Sequence, residues 1–148
     1  MKQLDLPPIW LAASLIIAWA LSWLVPMLTI EFSGQWALAL ISFLSGAILM
    51  GLAALEMSRA RTTIVPRQDP KALVTSGVFR LSRNPIYLGD WLVLMAAILW
   101  WGVWIALPLL WVFPRIIDSR FIGGEEAKMR EHFDDNFEKW AAKTRRWI

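Results

Sequence analysis

Apolar residues dominate the chain in long unbroken runs rather than in alternating or striped patterns. Residues 9–28 and 36–56 form two such runs, each about the twenty residues a helix needs to cross a hydrocarbon layer of roughly 30 Å. Trp10 and Trp23 stand near the ends of the first, where interfacial aromatic residues belong. A third apolar block opens at Pro85 or Ile86 and lasts to about Phe113. At about 1.5 Å per residue it exceeds one crossing. Trp100-Trp101-Gly102 falls near its middle, so the block is expected to fold as a hairpin of two spans, 86–101 and 103–121. The second of these runs on past Pro114 and Arg115 toward Phe121. After Gly123 the pattern changes: Met129, Phe133, Phe137, Trp140, Thr144 and Trp147 recur at spacings of three and four in a polar background. That period predicts an amphipathic tail helix over 124–147, lying along the membrane surface or over the helix ends. The fold class expected is all-α integral membrane, one domain over 1–148, with about four transmembrane helices and this C-terminal amphipathic helix.

Two details refine the picture. The first run reads as retained rather than as a cleaved signal. Its apolar stretch is too long, its basic lead is Lys2 alone, and no small-residue cleavage site follows. In the second run Ser42 and Gly46 share a helix face, with Gly51 about a turn further on, and small residues so spaced let membrane helices approach closely.

Charge then supplies an orientation. The loop 57–85 carries Arg59, Arg61, Arg67, Lys71, Arg80 and Arg83, whereas the turn between the first two runs has no Lys or Arg. Positive charge between spans marks the cytoplasmic side. Four spans would place both termini there, as in a bacterial inner-membrane protein. The formal net charge of +3 is thereby explained without nucleic acid, since the basic residues flank apolar runs instead of covering a soluble face. The chain has no cysteine and one histidine, His132. Disulfides, thiolate nucleophiles and Cys- or His-based metal sites are not expected.

Candidate chemistry sits at two places. Arg83-Asn84-Pro85-Ile86-Tyr87 has a plain structural account: an N-cap, a proline at the first helical position, a boundary arginine and a belt tyrosine. Glu125-Glu126 follows Gly123-Gly124, and acids suit the first turn of a helix. Adjacent helical residues point about 100° apart, so only one of the pair can face a ligand directly while the other caps, pairs or supports it. Both clusters fall at the same membrane face in the expected topology. Ionisable groups beside a helix bundle are costly unless paired or used. Together these two could hold a zwitterionic, water-soluble ligand against a pocket open to lipid.

The stretch Leu73-Val74-Thr75-Ser76-Gly77-Val78-Phe79, then Ser82-Arg83-Asn84-Pro85-Ile86-Tyr87-Leu88-Gly89, resembles the signature of the isoprenylcysteine carboxyl methyltransferase and phospholipid methyltransferase superfamily. Arg61-Thr62-Thr63-Ile64-Val65-Pro66 is similar to the segment leading into it, and Ile122-Gly123-Gly124-Glu125-Glu126 to its I-x-x-E-E element. Phe133, Phe137 and Trp140 resemble its tail aromatics, and Arg145-Arg146-Trp147-Ile148 the ending of small bacterial members. The resemblance covers roughly residues 61–148. It departs at Asn84, where eukaryotic members have His, at Asp134 in place of a usual Gly, and at Phe137 and Trp140 in place of tyrosines.

The resemblance implies an S-adenosylmethionine-dependent methyltransferase built without a Rossmann domain, and no G-x-G-x-x-G follows a strand pattern here. It implies cofactor-binding residues at Gly77, Arg83, Asn84, Pro85, Tyr87, Glu125 and Glu126, with Arg83 and Tyr87 nearest the chemistry and no metal. Methyl transfer from a sulfonium is an in-line displacement in which alignment is the main task. Arg83 suits the cofactor carboxylate, and the glutamates its ammonium, ribose or adenine amino group. Pro85 starts the helix and Gly77 permits the turn before it. The substrate implied is lipophilic or membrane-delivered, a carboxylate of an isoprenylcysteine-like compound or the amine of a phospholipid. A carboxylate acceptor favours a spare cation such as Arg80 or Arg146, and an amine a spare acid such as Glu56 or Asp90. Two rivals belong to other classes: a non-catalytic membrane scaffold, and an oxidoreductase related to membrane sterol reductases, against which the short chain counts.

Overall fold

The computed structural model describes residues 5–63, 65 and 68–148. Lys2 of the polar lead, and Ile64, Pro66 and Arg67 of the basic loop, lie outside the described residues. Among those described there is no strand. Helices α1 (Pro7–Leu24), α2 (Gln35–Arg59), α3 (Pro85–Trp101), α4 (Leu109–Ile117) and α5 (Gly123–Ala141) are joined by short 3-10 turns and, between α4 and α5, by a π-helical segment, Asp118–Ile122.

Local chemistry fixes most of these limits. Proline at the first turn opens α1 and α3, where its missing N–H is not needed. The first span ends earlier than the expected 9–28. Val25 precedes Pro26 and is driven out of the helical region to φ −132°, ψ 55°, and a 3-10 turn, Pro26–Leu28, follows. Gly102, at φ +62°, stops α3 at the expected hairpin turn. The fourth span does not start at 103, however. Residues 103–108 are taken up by a turn with a 3-10 segment at Trp104–Ala106, and α4 begins only at Leu109. Helices α1 and α2 are long and apolar enough to cross a membrane; α3 is apolar but has 17 residues.

The central element is α3, with α2 packed on one side and α1 and α4 on the other. Gly46 and Gly89 make the α2–α3 crossing close, for a Cβ built on Gly46 would lie 2.8 Å from the Gly89 carbonyl oxygen. One turn away Ser42 Oγ donates to the Leu92 carbonyl at 2.8 Å. The face formed by Ser42 and Gly46 is therefore a helix contact, whereas Gly51 meets nothing. Gly46→Ala is expected to cost about 1–3 kcal/mol because backbone must move, with no comparable loss in Gly51→Ala. Paired thermal unfolding curves in one detergent check the difference.

At the end of the bundle away from the α3 N-terminus, Gln35 is fully buried. Its Nε2 donates to the Leu99 carbonyl at 2.6 Å and its Oε1 accepts from the Phe32 N–H at 3.2 Å. A core of Ala18, Leu94, Ile98, Phe113, Ile117 and Phe121 joins α1, α3, α4 and the π segment. After the turn at 102–108 the chain returns through α4, which packs on both α3 and α1.

The tail departs from expectation in two ways. Backbone angles stay helical from α4 through the π segment into α5, so Gly123-Gly124 interrupts nothing and no free helix start exists at Glu125-Glu126. The dipole account of that pair therefore gives way to side-chain pairing. Nor does one helix carry the stripe to Trp147. It is kinked at Asp134 (φ +38°, ψ −121°) and ends at Ala141. Phe137 is buried on it, while Thr144 and Trp147 belong to a return segment that doubles back on the bundle. Asp134 holds a conformation that only glycine adopts freely, at a cost of order 1 kcal/mol or more. Asp134→Gly should raise the thermal midpoint by a few degrees, and an unchanged or lower midpoint would contradict this reading of the kink.

Candidate functional site

The first turns of α1, the end of α2, the loop, the start of α3 and the start of α5 enclose a cavity of about 410 Å³, within the usual range of small-molecule sites, roughly 300–1,000 Å³. Its walls are largely apolar, with Met50, Met57, Phe79, Ile86, Phe137 and Trp140 among them. The polar lining includes Arg83, Asn84, Tyr87, Asp90, Glu125, Glu126 and Lys128.

The loop reaches this position through its own apolar residues. Val74, Val78 and Phe79 pack with Ala53 of α2, and Trp140 Nε1 donates to the Phe79 carbonyl at 3.2 Å. Thr62 Oγ1 accepts the Lys71 and Ala72 N–H groups. Lys128 donates to Asp69 at 2.7 Å and holds that carboxyl below the usual carboxylate range. Gly77, at φ +56°, lies where a Cβ would meet the Glu56 side chain. Beside it Ser76 Oγ donates to that same carboxylate. Gly77 makes the turn and does not line the cavity.

The two clusters expected to meet do meet. Tyr87 OH donates to Glu125 Oε1 at 2.9 Å. Glu126, only 6% exposed, accepts from Arg146 Nε at 3.1 Å and Nη2 at 2.7 Å, and lies 3.3 Å from Arg83 Nη2 and 3.9 Å from Arg130 Nη2. The bidentate bond to Glu126 pushes the Arg146 guanidinium further above its ordinary range. One acid of the pair is thus committed to three arginines, while the other reaches Tyr87. Arg83 keeps a buried Nε–H without a partner among the described residues. Such an orphan beside a cavity is what an anionic ligand group would satisfy.

Asn84 occupies the N-cap position of α3 and Pro85 follows it, yet the Asn84 side chain does not cap. Its Nδ2 donates to the Arg146 carbonyl at 3.0 Å, as does Ser82 Oγ at 3.1 Å, while the Arg83 N–H takes the Arg145 carbonyl at 3.0 Å. Trp147 Nε1 donates to Asp118 of the π segment at 3.3 Å. Residues 145–147 therefore strap the α3 start to the α4–α5 rod. Sequence reasoning singled out Arg146 only as a spare cation. Its pairing with Glu126, and the role of Ser82 and Asn84 in holding its carbonyl, carry no motif that distance along the chain would reveal. Of the other spare charges, Asp90 faces the cavity, whereas Arg80 and Glu56 do not line it.

Comparison with family models gives one finding that bears on these residues: the model described as phospholipid methyltransferase matches residues 34–136, more than half of the chain and from α2 into α5. Comparison with curated proteins and with solved structures gives no match.

Proposed function

We propose, for a chain that belongs to the phospholipid methyltransferase family, that the cavity binds S-adenosylmethionine and that the protein methylates a lipophilic or membrane-delivered small substrate. The observation that carries this reading is the convergence of Arg83 and Tyr87 with Glu125 and Glu126, some forty residues apart in the chain, on one cavity of small-molecule size. The cofactor supplies an activated methyl group on a sulfonium. Arg83 offers its orphan Nε–H to the cofactor carboxylate, held in place by Glu126. Glu125 and Tyr87 present an acceptor and an aromatic face on the side where a cationic group would sit. Asn84 and Pro85 fix the start of α3 against the strap, and Gly77 shapes the loop without touching the ligand.

The membrane setting supports lateral delivery of the substrate. Family membership and two helices of spanning length agree with a membrane protein. The basic residues of the loop beside the cavity agree with a cavity on the cytoplasmic face, and four spans would put both termini on that side. Calorimetry with S-adenosylmethionine on the purified protein tests the site. Mass spectrometry of lipid extracts incubated with the protein and the cofactor carrying a labelled methyl group tests the activity. A chain that binds no S-adenosylmethionine would return this bundle to the scaffold reading.

A further inference from the structure

Asp90 is the one acid of the cavity lining left out of the account above. It stands on α3 one turn beyond Tyr87, with Ile86 and Tyr87 of the same helix also lining the cavity. At about 1.5 Å per residue that places it roughly 4–5 Å further along the helix axis than the tyrosine that meets Glu125. It is 8% exposed, and among the described residues no hydrogen bond or ion pair engages its carboxyl. Its neighbour Gly89 faces α2 at the Gly46 crossing, so Asp90 has been directed at the cavity and not at a helix contact. Across from the α3 residues of the lining, the α2 wall is made of Met50 and Met57, neither of which can pair with a carboxylate. An acid buried among apolar side chains is costly without a cation. The lining cations face other acids: Arg83 lies against Glu126, and Lys128 donates to Asp69.

We propose that Asp90 selects the methyl acceptor, holding a protonated amine at this apolar end of the cavity and taking its proton. The inference rests on the methyltransferase reading and narrows it to N-methylation. The carboxylate of Asp90 accepts one proton from the acceptor ammonium. The freed nitrogen lone pair forms the N–C bond as the donor's S–C bond breaks, sulfur keeping that electron pair. The product is a methylammonium, and Asp90 gives its proton to solvent before the next cycle. A carboxylate acceptor would instead meet a like charge at this position.

Two measurements test this, one without the cofactor. Calorimetry with n-hexylamine at neutral pH on the protein alone should show at least tenfold weaker binding to Asp90→Asn than to the native chain. Sodium hexanoate should not reach the affinity of the amine with the native chain. With S-adenosylmethionine present, methylation of phosphatidylethanolamine in mixed micelles should fall about 100-fold or more in Asp90→Asn, as for loss of a proton acceptor. Cofactor affinity should stay within about twofold, which also reports that the variant is folded. Asp90→Glu should recover part of the rate. Equal hexylamine binding in Asp90→Asn, native-like methylation by it, or methylation of N-acetyl-S-farnesylcysteine in preference to the amine would overturn the proposal. So would a loss of cofactor affinity in Asp90→Asn, since Asp90 would then serve the sulfonium. Failure of the native chain to bind S-adenosylmethionine is a different result and defeats the methyltransferase reading itself.

Discussion

Glu126→Ala is expected to lower stability by about 3 kcal/mol, at the low end of the cost of breaking a buried ion pair, and to abolish S-adenosylmethionine binding. The carboxylate is the hub of three guanidinium groups, from the loop just before α3, from α5 and from the return segment. Without it Arg83, whose side chain is 14% exposed, keeps its charge in a nearly dry setting with no counter-ion from Glu126. Arg146 and Arg130 are 39% and 50% exposed and regain water, which is why the low end applies. The binding loss follows from geometry, because Arg146 no longer ties the return segment to α5 and the α3 start loses its brace. Denaturant titration in a fixed detergent, with calorimetry on the folded fraction, measures both. A loss below about 1 kcal/mol would class the network with exposed pairs of little worth. Glu126→Gln, which keeps shape and loses charge, should fall between.

Arg83→Ala should separate binding from stability. Glu126 retains its bidentate partner in Arg146, so the fold should survive with a change of about 1 kcal/mol. Cofactor affinity should fall by about 2–5 kcal/mol, as when one member of a desolvated charged hydrogen bond is removed. Arg83→Lys should not restore it, because an ammonium lacks the planar fork that serves Glu126 and a second carboxylate together. Retained S-adenosylmethionine affinity in a folded Arg83→Ala protein would remove the central support of the proposed site.

Much of this was legible before any coordinates, for identifiable reasons. Pro85 and Gly102 delimit α3 because one imposes a backbone angle and the other tolerates a positive φ; both effects are local. The meeting of the Arg83–Tyr87 stretch with Glu125-Glu126 was also legible, since ionisable groups beside a helix bundle are costly unless paired or used; the direct pairing of Arg83 with Glu126 was not. What escaped depends on longer range or finer geometry. A π segment carries the chain smoothly through Gly123-Gly124, so the glycines that signalled a break sit inside a helix. Asn84 looks like a cap by type and position, but its amide serves a carbonyl 62 residues away. The apolar period of the tail continues past the point where its helix ends, because Thr144 is buried and Trp147 partly buried by a chain that has turned back. Periodicity records which residues are buried, not which element buries them.

Backbone angles stay helical from Leu109 through the π segment as far as Asp134, so Glu125 and Glu126 are continuous with α4. A tilt of α4 therefore swings Glu125 and Glu126 with it, while Tyr87 rides on α3. Thinner or thicker lipid, which membrane helices accommodate by leaning, would be felt as a change in the gap between Tyr87 and Glu125. In the proposed membrane setting, bilayer composition would thus have a mechanical route to the proposed site that bypasses the substrate.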